Sequence, residues 1–176
     1  FKRKFIIYFK NYLKLFFHRL KIFFLKKRIN DTAIKYIVEK ENWSIKWDGI
    51  YISSSINKNI NPGIVETSNL PNFSSKTKLI HFGSQYMWVD WHKLLPKNKN
   101  YVVSFYHGKE SDSPEVKDHI YDFINTNYKI YKVTTASSLI KERLLRWGIP
   151  KSKIEIIPIG VDTNLFNIPS KIKRKK

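Results

Sequence analysis

Cysteine is absent from all 176 residues, which removes disulfide bridges, thiolate metal ligands and thiol nucleophiles, and fits a reducing compartment. Glycine is scarce at six residues, and none stands in a Gly-x-x-x-x-Gly-Lys-Ser/Thr, Gly-x-Gly-x-x-Gly or Gly-x-Ser-x-Gly setting. The usual signals for a phosphate loop, for hydride transfer and for serine hydrolysis are therefore missing. No uncharged apolar run reaches the roughly 18 residues that span a bilayer, and no small-residue cleavage site follows an apolar core as in a secretory signal. What is present is 42% apolar and 15% aromatic residues, the composition of a folded chain with one good core.

The net charge of +19 suggests a nucleic-acid binder until it is located. Residues 1–28 hold ten Lys/Arg and no acid, and residues 171–176 hold five more. The intervening stretch carries 18 basic residues against all 14 acids. Charge therefore belongs to the ends rather than to the domain.

Residues 1–28 contain neither Gly nor Pro and read as a helix of about seven turns. At helical spacing Arg3, Lys10, Lys14, Lys21 and Arg28 form one stripe, with Phe5, Phe9, Leu13, Phe16, Leu20 and Phe23 on the far side. Such a helix lies on an anionic membrane surface rather than crossing it. The alternatives are packing on the domain or a partner segment, and RNA binding. Nucleic acid is the weaker partner, because the aromatics face away from the charges instead of sharing a groove with them.

Asn30-Asp31-Thr32 reads as a helix start. Beyond it Trp43, Ile45 and Trp47 alternate, Asp48-Gly49 has the form of a two-residue hairpin turn, and Ile50 and Ile52 continue the alternation on a return strand. Short strands then alternate with helices. Strands are expected within 63–68, 78–84, 101–108, 131–137 and 153–160. One helix is expected over 114–127, with Ser113 as N-cap and Val116, Ile120, Phe123 and Ile124 on one face. A second is expected over 138–147, with Leu139, Ile140 and Leu144 inward and Gly148 as its stop. The fold class is α/β: a Rossmann-like, largely parallel sheet with helices on both faces, preceded by the basic amphipathic helix. Ligands in such sheets sit beyond the carboxyl ends of the strands.

Two strands end in His-and-Gly turns, LIHFGSQ with His81, Gly83, Ser84 and Gln85, and SFYHGKESD with His107, Gly108, Lys109 and Asp112. His107, beyond its strand, is the better candidate for a functional imidazole, and His81 still lies within its own. Glu110, Asp112, Glu115, Asp118 and Asp122 gather near a helix N-terminus, where the macrodipole accounts for them without a metal. No metal site is expected.

VVSFYHG, followed by VTTASSLIKERLLRWGIPKSKIEIIPIGVDTNLF, resembles the N-terminal half of family 4 glycosyltransferases of the GT-B fold. The likeness runs over roughly residues 78–168, while NWSIKWDGIYI departs from the family's opening strand and glycine-rich loop. The resemblance implies a retaining, nucleotide-sugar-dependent enzyme without a metal or other cofactor. It implies transfer to a cell-surface polysaccharide or lipid-linked glycan, on the cytoplasmic, inner face of the membrane. It makes His107 catalytic and places Gly83, Ser84, Gln85, Gly108 and Lys109 at the substrate. The domains would then be the helix 1–30, an acceptor-side domain 31–160, and the start of an interdomain linker at 161–176. The donor would bind mainly a C-terminal domain not contained here, since the family's paired-glutamate signature is missing, leaving the chain alone inactive. The competing class is a non-enzymatic membrane-surface or RNA-associated Rossmann-like protein.

Overall fold

The computed structural model describes residues 32–56, 60, 62–67, 76–109 and 113–160, together with Leu13. Residues 1–28 (Leu13 apart), expected to form the amphipathic helix, and residues 161–176, expected to begin an interdomain linker, lie outside the described residues. So do Glu110 and Asp112.

The stretch after Thr32 is a strand, not the helix expected there. β1 (Ile34–Val38) has four of its five residues buried, and Ile34, Ile37 and Val38 are β-branched residues that suit a strand covered on both faces. Thr32 ends up as a clasp rather than a helix cap. Its hydroxyl donates to the Ile34 carbonyl at 2.7 Å and accepts from the Gly63 amide at 3.1 Å, joining β1 to its neighbour.

The expected hairpin at Asp48-Gly49 is also overturned, because Ser44–Ser55 is one helix, α1. Its successor β2 (Gly63–Glu66) pairs parallel to β1, with Ile37 opposite Val65. A parallel partner cannot be reached through a tight turn, so a crossover must fill the connection. The alternation of Trp43, Ile45 and Trp47 mixed two faces of that helix. Trp43 and Trp47 are exposed at 61% and 48%, and Ile45 turns inward. Gly49, one turn beyond Ile45, is buried against β1. Lys46 pairs with Glu66 at 3.0 Å and fixes the helix over the end of β2.

The remaining strands fall where the sequence places them: β3 (Leu79–Phe82), β4 (Asn100–Ser104), β5 (Lys132–Thr135) and β6 (Ile154–Ile156). All six form one parallel sheet in the order β2-β1-β3-β4-β5-β6. The connecting helices are α2 (Gln85–Trp91), α3 (Pro114–Thr126) and α4 (Ser138–Arg146). Right-handed crossovers carry α1 to one face and α2, α3 and α4 to the other, since the chain progresses in opposite directions from β1. Side-chain parity agrees. Tyr36 and Val38 meet α1, whereas Ile37, Phe82, Val103 and Val133, adjacent in register, belong to the main core with Trp88, Phe123 and Leu144. This is a Rossmann-like α/β sheet, and β1/β3 is its switch point.

α3 begins with Pro114 at its first turn as expected, although Ser113 occupies the cap position without a side-chain cap bond. In α4 the cap is Ser137, whose hydroxyl accepts from the Ile140 amide at 3.3 Å. Leu144 is buried and Ile140 packs on the core, but Leu139 is 63% exposed rather than inward. Among the described residues no helix is long and apolar enough to cross a membrane.

Gly49 sets the distance between α1 and the sheet: a Cβ there would stand 2.9 Å from Tyr36 Cδ1 and 3.1 Å from Val38 Cγ1. In an open helix Gly→Ala stabilises by about 0.5–1 kcal/mol, whereas overfilling a packed contact costs about 1–3 kcal/mol. Gly49→Ala is therefore expected to lower the urea midpoint despite its better helix propensity. An unchanged or raised midpoint would show that the Tyr36 ring yields freely.

Candidate functional site

Chemistry-bearing side chains collect at the carboxyl ends of β3, β4 and β5, in two groups separated by the sheet. On the α1 side, strand positions that would otherwise be apolar are polar. His81 Nε2 lies 2.9 Å from Ser104 Oγ, and Ser104 Oγ lies 2.9 Å from Thr134 Oγ1. This row crosses three strands on one face, with Ser104 opposite Thr134 and His81 reaching it diagonally from opposite Val102, and each group meets the next. The Tyr36 ring stands edge-on to His81, with centroids 4.8 Å apart.

Burial dominates the electrostatics of this row. It lowers the His81 pKa to about 4, so the ring is neutral. Burial also pushes the Tyr36 hydroxyl above the usual phenol range, with Tyr106 and Asp48 adding to the rise and Ser104 opposing it. Tyr106 is raised by burial too, against Ser104 and with Asp48. The Asp48 carboxyl itself is raised by burial. His81 is thus a satisfied histidine inside a hydroxyl network.

The second group belongs to the loop that follows β4. Phe105 is fully buried and its amide donates to the Thr134 carbonyl at 2.8 Å, so the loop leaves the sheet from a fixed point. His107, two residues beyond Phe105, is exposed. Gln85 Nε2 lies 3.1 Å from His107 Nδ1 and donates to the His107 carbonyl at 2.9 Å. Tyr86 packs edge-on to the imidazole, with centroids 5.2 Å apart, and stacks on His119 at 4.0 Å. Gly108 has φ of +120°, a backbone state that disfavours side chains, and its carbonyl accepts from Arg143 Nη1 at 2.6 Å.

The candidate residues named from sequence divide accordingly. Gln85, His107 and Gly108 come together in one hydrogen-bonded unit, with Lys109 exposed beside it. Gly83 and Ser84 have internal tasks. A Cβ at Gly83 would stand 2.5 Å from Ile45 Cγ2, so its absence admits α1. Ser84 is 2% exposed and caps α2, its hydroxyl accepting from the Tyr86 amide at 3.2 Å. Sequence reasoning missed Tyr86, Arg143 and the Tyr36–Ser104–Thr134 group. Ser104 and Thr134 could have been found, because a doubly covered parallel strand normally reads as apolar throughout. Arg143 left no local sign.

Among the described residues no group of three or more His, Cys, Asp or Glu is placed to hold a metal ion. A groove of about 360 Å³, lined by Lys117, Ile120, Tyr121 and Ile124, runs along α3. Ile120 also borders the loop, its Cδ1 3.3 Å from where a Gly108 Cβ would be. The site thus joins a polar, hydrogen-bonded turn at His107-Gly108 to a largely apolar groove. Comparison with protein-family models, curated proteins and solved structures finds no match to this chain.

The His81 shift has a measurable sign. Its folded pKa of about 4 lies below the ordinary 6.5, so the unfolded chain takes up the proton first. Stability tied to neutral His81 is complete above about pH 6.5 and is lost as pH falls towards about 4, on the order of 3 kcal/mol in all. Asp48 and the other carboxylates titrate in wild type and in His81→Gln alike. Denaturation of both across that window should show a steeper loss in wild type, and parallel curves would mean that His81 is not held neutral.

Proposed function

We propose that these residues form the acceptor-side domain of a retaining glycosyltransferase that uses a nucleotide sugar and builds a cell-surface polysaccharide or lipid-linked glycan. The observation that carries the reading is the restrained His107-Gly108 turn at the carboxyl end of β4 in a wholly parallel sheet. Its last strand, β6, runs into the sequence IPIGVD. That placement is where an open α/β sheet presents ligands.

His107 is the catalytic group in this reading. An imidazole fixed at the reacting sugar stabilises charge as it develops, an effect that depends on being held before reaction begins. Gln85 holds it, Gly108 lets the backbone come close, and Lys109 stands at the outer edge of the substrate. The groove along α3 supports an acceptor with an apolar portion, since Ile120 lies between groove and loop. The motifs here match the acceptor side alone, so donor recognition falls to a second domain and no resident cofactor or metal is invoked. Residues 1–28, with their basic and aromatic faces, would hold the enzyme peripherally on the anionic, cytoplasmic face of a membrane.

The test is transfer of radiolabel from a panel of uridine- and guanosine-diphosphate sugars into glycolipid or polysaccharide, using the chain joined to its donor-side half. His107→Ala should lower turnover by about 10²-fold with an unchanged denaturation midpoint. An equally active variant would remove His107 from the chemistry. No transfer from any donor would overturn the reading, and transfer by the 176 residues alone would overturn the division between domains.

A further inference from the structure

We propose that Gln85 is a positioning residue that locks His107 in the tautomer with its proton on Nε2, so that the exposed edge of the ring is a hydrogen-bond donor and not a base. The catalytic consequence rests on the sugar-transfer reading above, whereas the tautomer itself is defined without any substrate.

An amide side chain can be turned end for end, so its orientation must be argued from its partners. Here the main chain decides. The His107 carbonyl oxygen has only lone pairs to offer, so the Gln85 atom 2.9 Å from it must be the NH₂ group. The same nitrogen lies 3.1 Å from His107 Nδ1. An amide nitrogen donates and does not accept. Nδ1 must therefore contribute its lone pair, and the one proton of the neutral ring resides on Nε2.

The lock is stiff because each part is held independently. Gln85 is 1% exposed and follows directly on the Ser84 cap of α2, so neither its backbone nor its amide has room to swing away. Tyr86 fixes the plane of the imidazole from its edge. Arg143 pins the Gly108 carbonyl one residue further on. This orientation leaves Gln85 Oε1 buried without a partner among the described residues. The opposite orientation would set that oxygen against the His107 carbonyl.

His107 then greets a ligand with an N–H, which fits an oxygen that carries or gains negative charge, such as a phosphate oxygen or a sugar hydroxyl accepting the bond. It cannot take a proton at Nε2 while that N–H is in place. The role that remains is charge stabilisation by a preset donor.

His92 supplies an internal reference of the opposite kind. Its Nδ1 faces the Val89 and Trp88 carbonyls at 2.9 and 3.3 Å, so its proton sits on Nδ1. Two-bond proton–nitrogen correlation spectra of the ¹⁵N-labelled full chain in mildly alkaline buffer separate the two forms, with His107→Ala assigning the signal. In wild type, His107 should show the fully developed Nε2–H pattern and His92 the Nδ1–H pattern. Gln85→Leu should move both His107 nitrogens towards the averaged positions of a free ring. Gln85→Glu, which offers only acceptors, should bring the proton to Nδ1, with the His92 pattern reporting an intact fold in each variant. Averaged or Nδ1–H signals for His107 in wild type would overturn the proposal, and so would signals indifferent to Gln85→Leu. Absence of sugar transfer, by contrast, would leave these spectra as they are.

Discussion

Two parallel strands cannot be joined by a tight turn, and most of this molecule follows from that restriction. Each link between neighbouring parallel strands has to travel the length of the sheet, and the described links do so as α1, α2, α3 and α4. All carboxyl ends consequently lie along one edge. The chain goes from β1 to β2 on one side and resumes with β3 on the other, so the connections diverge at β1/β3. A parallel sheet also has to be covered on both faces, which is why β1 is buried at Tyr36 and Ile37 alike although successive residues point to opposite sides.

The two faces solve the problem of burial differently. Under α2, α3 and α4 the contacts are aromatic, with Phe82 against Trp88 at 5.7 Å and Phe105 against Phe123 at 5.0 Å. Even the Trp88 indole is satisfied, donating to Thr126 Oγ1 at 3.0 Å. On the α1 side the strand ends carry hydroxyls and imidazole instead. A polar row of this kind is tolerable only when its members bond one another, since each orphaned group would cost about 1–3 kcal/mol. His81, Ser104 and Thr134 meet that condition across three strands, and their pairing fixes the relative height of β3, β4 and β5.

The later strands were legible because each is a short run of β-branched and aromatic residues bounded by turn residues, and α3 was legible from Ser113-Pro114 and its single apolar face. Residues 32–56 were not. Asp48-Gly49 is a strong local turn signal, yet Gly49 serves as the place where a helix touches Tyr36, a fact set by the tertiary contact and invisible in a window of ten residues. Likewise IKYIV follows a plausible helix cap, and only the neighbours on either side make it a strand. The glycine and histidine turns both fall at the carboxyl ends of their strands, as read from sequence, but the division of labour among Gly83, Ser84 and Gln85 was hidden. Three consecutive residues take a packing task, a capping task and a bond to His107, according to how far each lies from the start of α2.

Strand order explains how residues so far apart in sequence come to share that loop. β3, β4 and β5 are neighbours, so the segments leaving their carboxyl ends are neighbours as well. Gln85 leaves from β3, His107 and Gly108 from β4, and Arg143 sits on the helix that follows β5. Residues from three successive connections therefore meet at one turn, and the geometry of the turn inherits the register of the sheet. That register is not free to drift. A slip of β4 by a single residue would turn Ser104 away from His81 and Thr134 and drive Val103 out of line with Phe82 and Val133. The polar row on one face and the apolar row on the other oppose the same slip. The position of the His107 ring is thus set from beneath by the sheet and from the side by Gln85, with neither restraint depending on a bound ligand.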